Sequence, residues 1–242
     1  MSSHYPVPNR QKCASPPRRR VWSSAACSAL LMLSVVTASA ANLVVNGSFE
    51  NNSASGNVFN PNNATFNALV PSVTAYGVRE GIDLQTIGSG YGLAPQNGNW
   101  KVSPASDAGG FAEEFSMNLT GALTPGQSYQ LDFYIERLQS DVFNGGTVQV
   151  GLSSSATVFG TQIASATAPG SGWLLSSTTF AAPNAGSFIT VRVTTTQSSW
   201  VGLDNFFLTA VPEPSSCTLL GALGGVGLVR GLSRAHRQRK NS

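Results

Sequence analysis

Tyr129-Gln130-Leu131-Asp132-Phe133-Tyr134-Ile135-Glu136 alternates apolar and polar residues along most of its length. Successive side chains of an extended chain point to opposite faces. Tyr129, Leu131, Phe133 and Ile135 therefore share one face, and Gln130, Asp132, Tyr134 and Glu136 the other. Such a stretch is a β-strand with one buried face. Residues 147–152, 176–180, 188–195 and 205–209 behave similarly. Turn chemistry separates them: Leu123-Thr124-Pro125-Gly126, Asn144-Gly145-Gly146, Ala168-Pro169-Gly170-Ser171-Gly172 and Ala182-Pro183-Asn184-Ala185-Gly186. Short strands at this spacing, in a body the length of one domain, predict an all-β, two-sheet sandwich. There is no internal repeat and no amphipathic helical pattern. Residues 51–68, rich in Asn and Ser, predict a long surface loop with local disorder.

The two ends follow a different logic. After a long lead, Arg18, Arg19 and Arg20 precede an apolar stretch at 25–36 that runs into Ala38-Ser39-Ala40. This is the shape of a secretory signal with cleavage after Ala40. A twin-arginine export signal is a poorer match, because Val21-Trp22-Ser23-Ser24 does not follow that pattern. At the other end, Pro212-Glu213-Pro214 leads into an uncharged segment at 215–229, then Arg230, Arg234, Arg237, Arg239 and Lys240. That order is a stop-transfer arrangement, with the basic end left in the cytoplasm. At 1.5 Å per residue the uncharged segment covers about 22 Å, short of a hydrocarbon core roughly 30 Å thick. Gly221, Gly224, Gly225 and Gly227 offer a small-residue face to another membrane protein. Transient recognition in the membrane fits better than permanent anchoring. The organisation is thus 1–40 signal peptide, 41–210 β-domain and 211–242 tail.

Removing the ends changes the chemistry of what remains. Ten of the fourteen Lys and Arg lie in the two ends. The body keeps Arg79, Lys101, Arg137 and Arg192 against ten acids, a net charge of −6. Four scattered cations make no phosphate-neutralising face, so nucleic acid is not a partner. His4, His236, Cys13, Cys27 and Cys217 all fall in the ends, leaving a body with no imidazole and no thiol. Ser-His and Cys-His nucleophile pairs, the usual zinc and copper ligands, and disulfides are all excluded from it.

The tail resembles the PEP-CTERM sorting signal, with Pro212, Glu213 and Pro214 as the motif. That resemblance implies an exosortase as partner, with the Sec machinery and signal peptidase acting earlier. The chain would be held briefly in the inner membrane and end at the cell surface or in the extracellular matrix. The body resembles galactose-binding-like carbohydrate-binding jelly rolls. The matching pieces, in order, are Asn42-Leu43-Val44-Val45-Asn46-Gly47-Ser48-Phe49-Glu50, Leu123 to Tyr129, Gly172-Trp173 before Phe180-Ala181-Ala182, and Gly202-Leu203-Asp204-Asn205-Phe206. The implied fold is a jelly-roll sandwich.

Sugar recognition uses aromatic faces against ring faces, with amides and carboxylates reaching hydroxyls. Tyr134, with Asp132 and Glu136 on the same strand face, is the leading platform; Trp100, Trp200 and Tyr91 are further candidates, and Trp173 reads as core. Glu50 ends the first matching piece and Asp204 lies in the last. Since first and last strands of a jelly roll lie close together, this pair is the candidate calcium site. The same carboxylates would equally serve to cap turns or accept backbone amides. Glu113 and Glu114, being adjacent, face opposite sides of a strand and cannot form a glycosidase pair. The sequence thus points to a non-catalytic exported protein binding carbohydrate or exopolysaccharide. A structural biofilm-matrix protein without a glycan ligand and a polysaccharide hydrolase are the alternatives.

Overall fold

The computed structural model describes residues 41–138, 146–195 and 198–212. The signal segment, the basic residues Arg230, Arg234, Arg237, Arg239 and Lys240, and Glu213 and Pro214 of the tail motif lie outside the described residues; Pro212 is the last within them.

In chain order the elements are helix α1 (Asn63–Leu69) and strands β1 (Val73–Ala75), β2 (Asp83–Thr86), β3 (Trp100–Ser103), β4 (Ala105–Ser106), β5 (Glu114–Asn118), β6 (Ser128–Arg137), β7 (Thr147–Ser153), β8 (Thr161–Thr167), β9 (Trp173–Ala181), β10 (Phe188–Thr194) and β11 (Ser199–Ala210). They form two antiparallel sheets, β1-β5-β10-β7-β8 and β2-β3-β11-β6-β9, with β4 pairing β11. The expected jelly-roll sandwich is what forms. Each of the five predicted strands exists, four of them within a few residues of the predicted ends. The last is longer than expected, starting at Ser199.

The core lies where alternation places it. Leu131, Phe133 and Ile135 of β6 are fully buried, as are Val148, Val150 and Leu152 of β7 and Ile189, Val191 and Val193 of β10. Phe206 organises the aromatic centre: it stacks on Phe133 at 5.1 Å and meets Phe49 and Phe115 edge-on. It gets there through a bulge. The β6 register shifts between Asp204 and Phe207, and Asn205 has φ +53, so Asp204 faces out while Phe206 turns in.

Residues 51–68 differ from the expected structureless loop. Asn62 caps α1, its side chain accepting from Thr65 N at 2.8 Å, and Phe66 is buried. The helix leaves no periodic mark in the sequence because it buries a single large apolar residue, which makes no 3.6-residue period. Asn46, Asn52, Asn57 and Asn67 bond backbone groups of the segment itself or of the strand edges beside it. The asparagines that suggested disorder are what tie the segment down.

Candidate functional site

Paired residues of neighbouring strands point to the same side, so the register defines the outer face of the six-stranded sheet. It carries Asp83 and Gln85 from β2, Lys101 and Ser103 from β3, Gly202 and Asp204 from β11, Gln130, Asp132, Tyr134 and Glu136 from β6, and Trp173, Leu175 and Ser177 from β9. This face divides into a covered half and an open half.

The 87–99 connection, between β2 and β3, covers one half. Lys101 and Glu136, both fully buried, meet at 2.5 Å. Lys101 Nζ also donates to the carbonyls of Leu93 (2.7 Å) and Tyr91 (3.1 Å), while Leu93 N donates to Glu136 Oε2 at 2.9 Å. Burial pulls the Lys101 ammonium below its ordinary range and pushes the Glu136 carboxyl above its own, and their mutual contact opposes both shifts. The pair spans β11 above Gly202, where a Cβ would stand 2.5 Å from Glu136 Cγ. A glycine at 202 is what opens the passage. Trp173 rests on this arrangement, its ring 5.9 Å from Lys101 Nζ and its indole N–H on the Ala94 carbonyl at 3.0 Å. Trp173 therefore sits on the outer face against the connection, and not in the core as expected.

Glu50 and Asp204 do converge, on the far end of the same connection. Glu50 Oε1 accepts from Asn99 N and Trp100 N, both at 2.8 Å. Asp204 Oδ2 accepts from Asn97 N at 2.9 Å and Oδ1 from Asn205 N at 2.6 Å. Gly98, at φ +72, leaves room for the Glu50 carboxylate, which a Cβ would approach to 2.4 Å. Backbone amides thus engage both carboxylates. Among the described residues no group of three or more His, Cys, Asp and Glu is placed to hold a metal ion.

The open half is carried by β6 and β9. Tyr134 and Asp132 are half-buried, Leu175 is 48 % exposed and Phe207 37 % exposed. Gln130 Nε2 donates to Asp132 Oδ1 at 3.1 Å and to Ser177 Oγ at 2.9 Å. A half-buried phenol level with Leu175, with Phe207 opposite the neighbouring Asp132 and an amide, a carboxylate and a hydroxyl on the same face, is chemistry suited to a weakly held polyol.

The other expected site residues lie elsewhere or are occupied. Glu136 shares the strand face of Tyr134, but both its oxygens are spent on Lys101 and Leu93. Trp100 points inward and packs against the core. Trp200 is half-buried, with the Arg79 guanidinium 5.2 Å from its ring centroid. Tyr91 is about half exposed and edge-on to Phe59 at 5.4 Å. Leu175, Ser177 and Phe207 are not among the expected site residues; Ser177 and Phe207 lie in the expected strands 176–180 and 205–209 and Leu175 just before the first, but which strands flank β6 is visible only in the register.

A further buried acid sits beneath Arg79. Glu113 Oε1 accepts from Arg79 Nε at 3.2 Å and Oε2 from Ala105 N at 2.8 Å, and Arg79 also pairs with Asp107. Burial pushes the carboxyls of Glu113 and Asp204 up to about 7 each. Both folded-state values lie above the ordinary ones, so the folded protein binds the extra protons and their contribution is lost as pH rises through about 7. The melting temperature is expected to fall between about pH 5 and about pH 8, and Glu113→Gln to flatten that fall. A calorimetric pH series checks it; a melting temperature that climbs across this range contradicts it.

No family model matches the chain. It is 29 % identical over 194 residues to halomucin of Haloquadratum walsbyi; the match covers 77 % of this chain and 2 % of that protein's length. Among solved structures it is similar to the CBM22-1 xylan-binding domain of Paenibacillus barcinonensis Xyn10C, at TM-score 0.43 and 13 % identity over 72 % of this chain and 98 % of that one. It is also similar to an adhesin domain of Lys-gingipain from Porphyromonas gingivalis, at TM-score 0.44 and 16 % identity over 70 % and 98 %.

Proposed function

We propose that this is an exported, exosortase-sorted protein whose sandwich binds carbohydrate without turning it over, through the open half of the β6/β9 face. The observation that carries this reading is the setting of Tyr134: half-buried, level with exposed Leu175 across the strand pair, and bordered by Asp132, Gln130 and Ser177. Stacking on one such ring gives weak affinity, and retention of many copies at the cell surface would supply avidity.

Affinity electrophoresis in polysaccharide gels is expected to show retardation of the protein and its loss in Tyr134→Ala, roughly a tenfold drop for about 1.4 kcal/mol of lost stacking. Phe207→Ala should weaken retention less, and Trp100→Ala should act only through stability. Absence of retardation on every polysaccharide tried would leave the structural-matrix alternative, and release of reducing ends would favour the hydrolase.

The sorting reading has its own test: protein recovered from outside the cell is expected to begin at Ala41 and to have lost the basic end that carries Arg230 to Lys240. Recovery of an untrimmed cytosolic chain would overturn it. Calcium between Glu50 and Asp204 is likewise a proposal. A fall in melting temperature on chelation supports it, and an unchanged curve leaves both carboxylates as amide acceptors alone.

A further inference from the structure

A sheet edge presents unpaired N–H and C=O groups, and proteins blunt such edges with charge, proline, bulges or cover. This sandwich treats its edges unequally. At the β1 edge, the Asn67 side chain imitates a strand: its Nδ2 donates to Ala75 O at 3.1 Å, and its Oδ1 accepts from Ala75 N at 2.6 Å. At the β2 edge, Val58 exchanges both backbone bonds with Leu84, at 2.9 and 3.0 Å, and Asn57 Oδ1 accepts from Thr86 N at 2.7 Å. Both short edges are closed by the 51–68 segment.

Among the described residues nothing closes the β9 edge in this way. Its sequence, Trp173-Leu174-Leu175-Ser176-Ser177-Thr178-Thr179-Phe180-Ala181, contains no charge, proline or glycine. It pairs with β6 through nine successive residues with no register shift, so the strand is long and carries no bulge. Among the described residues, no backbone or side-chain group bonds its outward-facing backbone. Leu174 and Leu175 are 43 % and 48 % exposed. The neighbouring β8 is also an edge, but its pairing with β7 is interrupted between Val150 and Gly151.

We propose that β9 is a self-association edge, pairing antiparallel with β9 of a second copy about a two-fold axis at Ser177. The sequence suits that partner. Across the axis Leu175 faces Thr179 and Leu174 faces Phe180, so each exposed leucine gains a β-branched or aromatic cross-strand neighbour, and no like charges meet. A chain with a net charge of −6 in its body otherwise repels its own copies; this strand itself carries no charge to add to that repulsion, and the nearest carboxylate, Asp132, stands one strand back from the axis. The pairing joins two six-stranded sheets and puts both Tyr134 side chains on one continuous face. They stand about 20 Å apart, from three strand spacings across and four residues along. That last consequence rests on the carbohydrate reading, whereas the pairing does not.

The test is sedimentation or light scattering of the full chain in mild detergent, comparing wild type with Ser177→Lys. Both ends of the chain are common to the two proteins, so a mass difference reports on β9. Ser177 is exposed, and the variant should keep its circular dichroism while placing two ammonium groups opposite each other. Wild type is expected at twice the monomer mass and Ser177→Lys at the monomer mass. Ser177→Cys adds a check on register: opposite residues in an antiparallel pair lie about 4.5–5.5 Å apart, within disulfide reach, whereas two copies of residue 179 would be roughly 13 Å apart. Oxidation should therefore yield a 177–177 link by peptide mapping, and Thr179→Cys should yield none. A monomeric wild type, an unchanged mass in Ser177→Lys, or equal cross-linking at both positions would overturn the proposal. Loss of glycan retention in Tyr134→Ala with the dimer intact would separate the two readings.

Discussion

Lys101→Met is expected to lower the unfolding free energy by about 3–5 kcal/mol, the cost of leaving one member of a buried ion pair without its partner. Here the loss is compounded. Lys101 Nζ is fully buried with three acceptors, Glu136 Oε1 and the carbonyls of Tyr91 and Leu93. Removing it strands a carboxylate and two carbonyls together. Glu136→Gln should cost less, because an amide oxygen still accepts from the ammonium, though the charge then goes unbalanced. Replacing both residues with methionine is expected to recover only part of the loss. The charges cancel from the account, but the Tyr91 and Leu93 carbonyls and the Leu93 amide stay buried without partners, at about 1–3 kcal/mol each. Chemical denaturation of the two single variants and the double variant forms the cycle that checks this. A double variant as unstable as the sum of the singles would show that the pair is not coupled.

Gly47→Ala is expected to cost about 3 kcal/mol or more, at or above the upper end for overpacking because it cannot relax. A Cβ at 47 would stand 2.2 Å from the carbonyl oxygen of Phe206, and the positions of both are fixed by the backbone. The close approach is part of the design, since Phe206 N donates to Gly47 O at 2.9 Å. No rotamer can relieve the clash without lifting the first segment off β11 and withdrawing Phe49 from its contacts with Phe115 and Phe206. Gly121→Ala is the control: nothing lies within 4 Å of its Cβ, and the change should stay within about 0.5 kcal/mol. Comparable melting temperatures for the two variants would refute the packing argument.

These two sites show how far the chain can be read before it is folded. The motif ending in Phe49-Glu50 and the piece around Gly202-Leu203-Asp204-Asn205-Phe206 were recognisable as matched pieces of one fold, and they do meet. Their chemistry was less legible. Glu50 and Asp204 lie at one end of the same connection, yet apart from the Asn205 amide the groups they hold are amides of the 96–100 segment, which no motif marks. Glu136 was assigned to the right face and the wrong environment. Trp100, in a strand of four residues, offers too little alternation to reveal which way it points. The region from 51 to 118 was opaque for the same reason: its strands run from two to five residues, and its helix buries one phenylalanine.

What is local or compositional is legible from the chain alone: which residues of a strand share a face, where turns fall, that the body is acidic, and that it has no imidazole or thiol with which to do chemistry. Which part of the outer face stays open is settled by long-range contacts. That depends on a connection folding back over β3 and β11, on a lysine reaching across a glycine to a glutamate 35 residues away, and on which edge strands find cover. Alternation is set by the geometry of each successive peptide unit. Covering a face is set by contacts between distant segments, whose free energy no local pattern encodes.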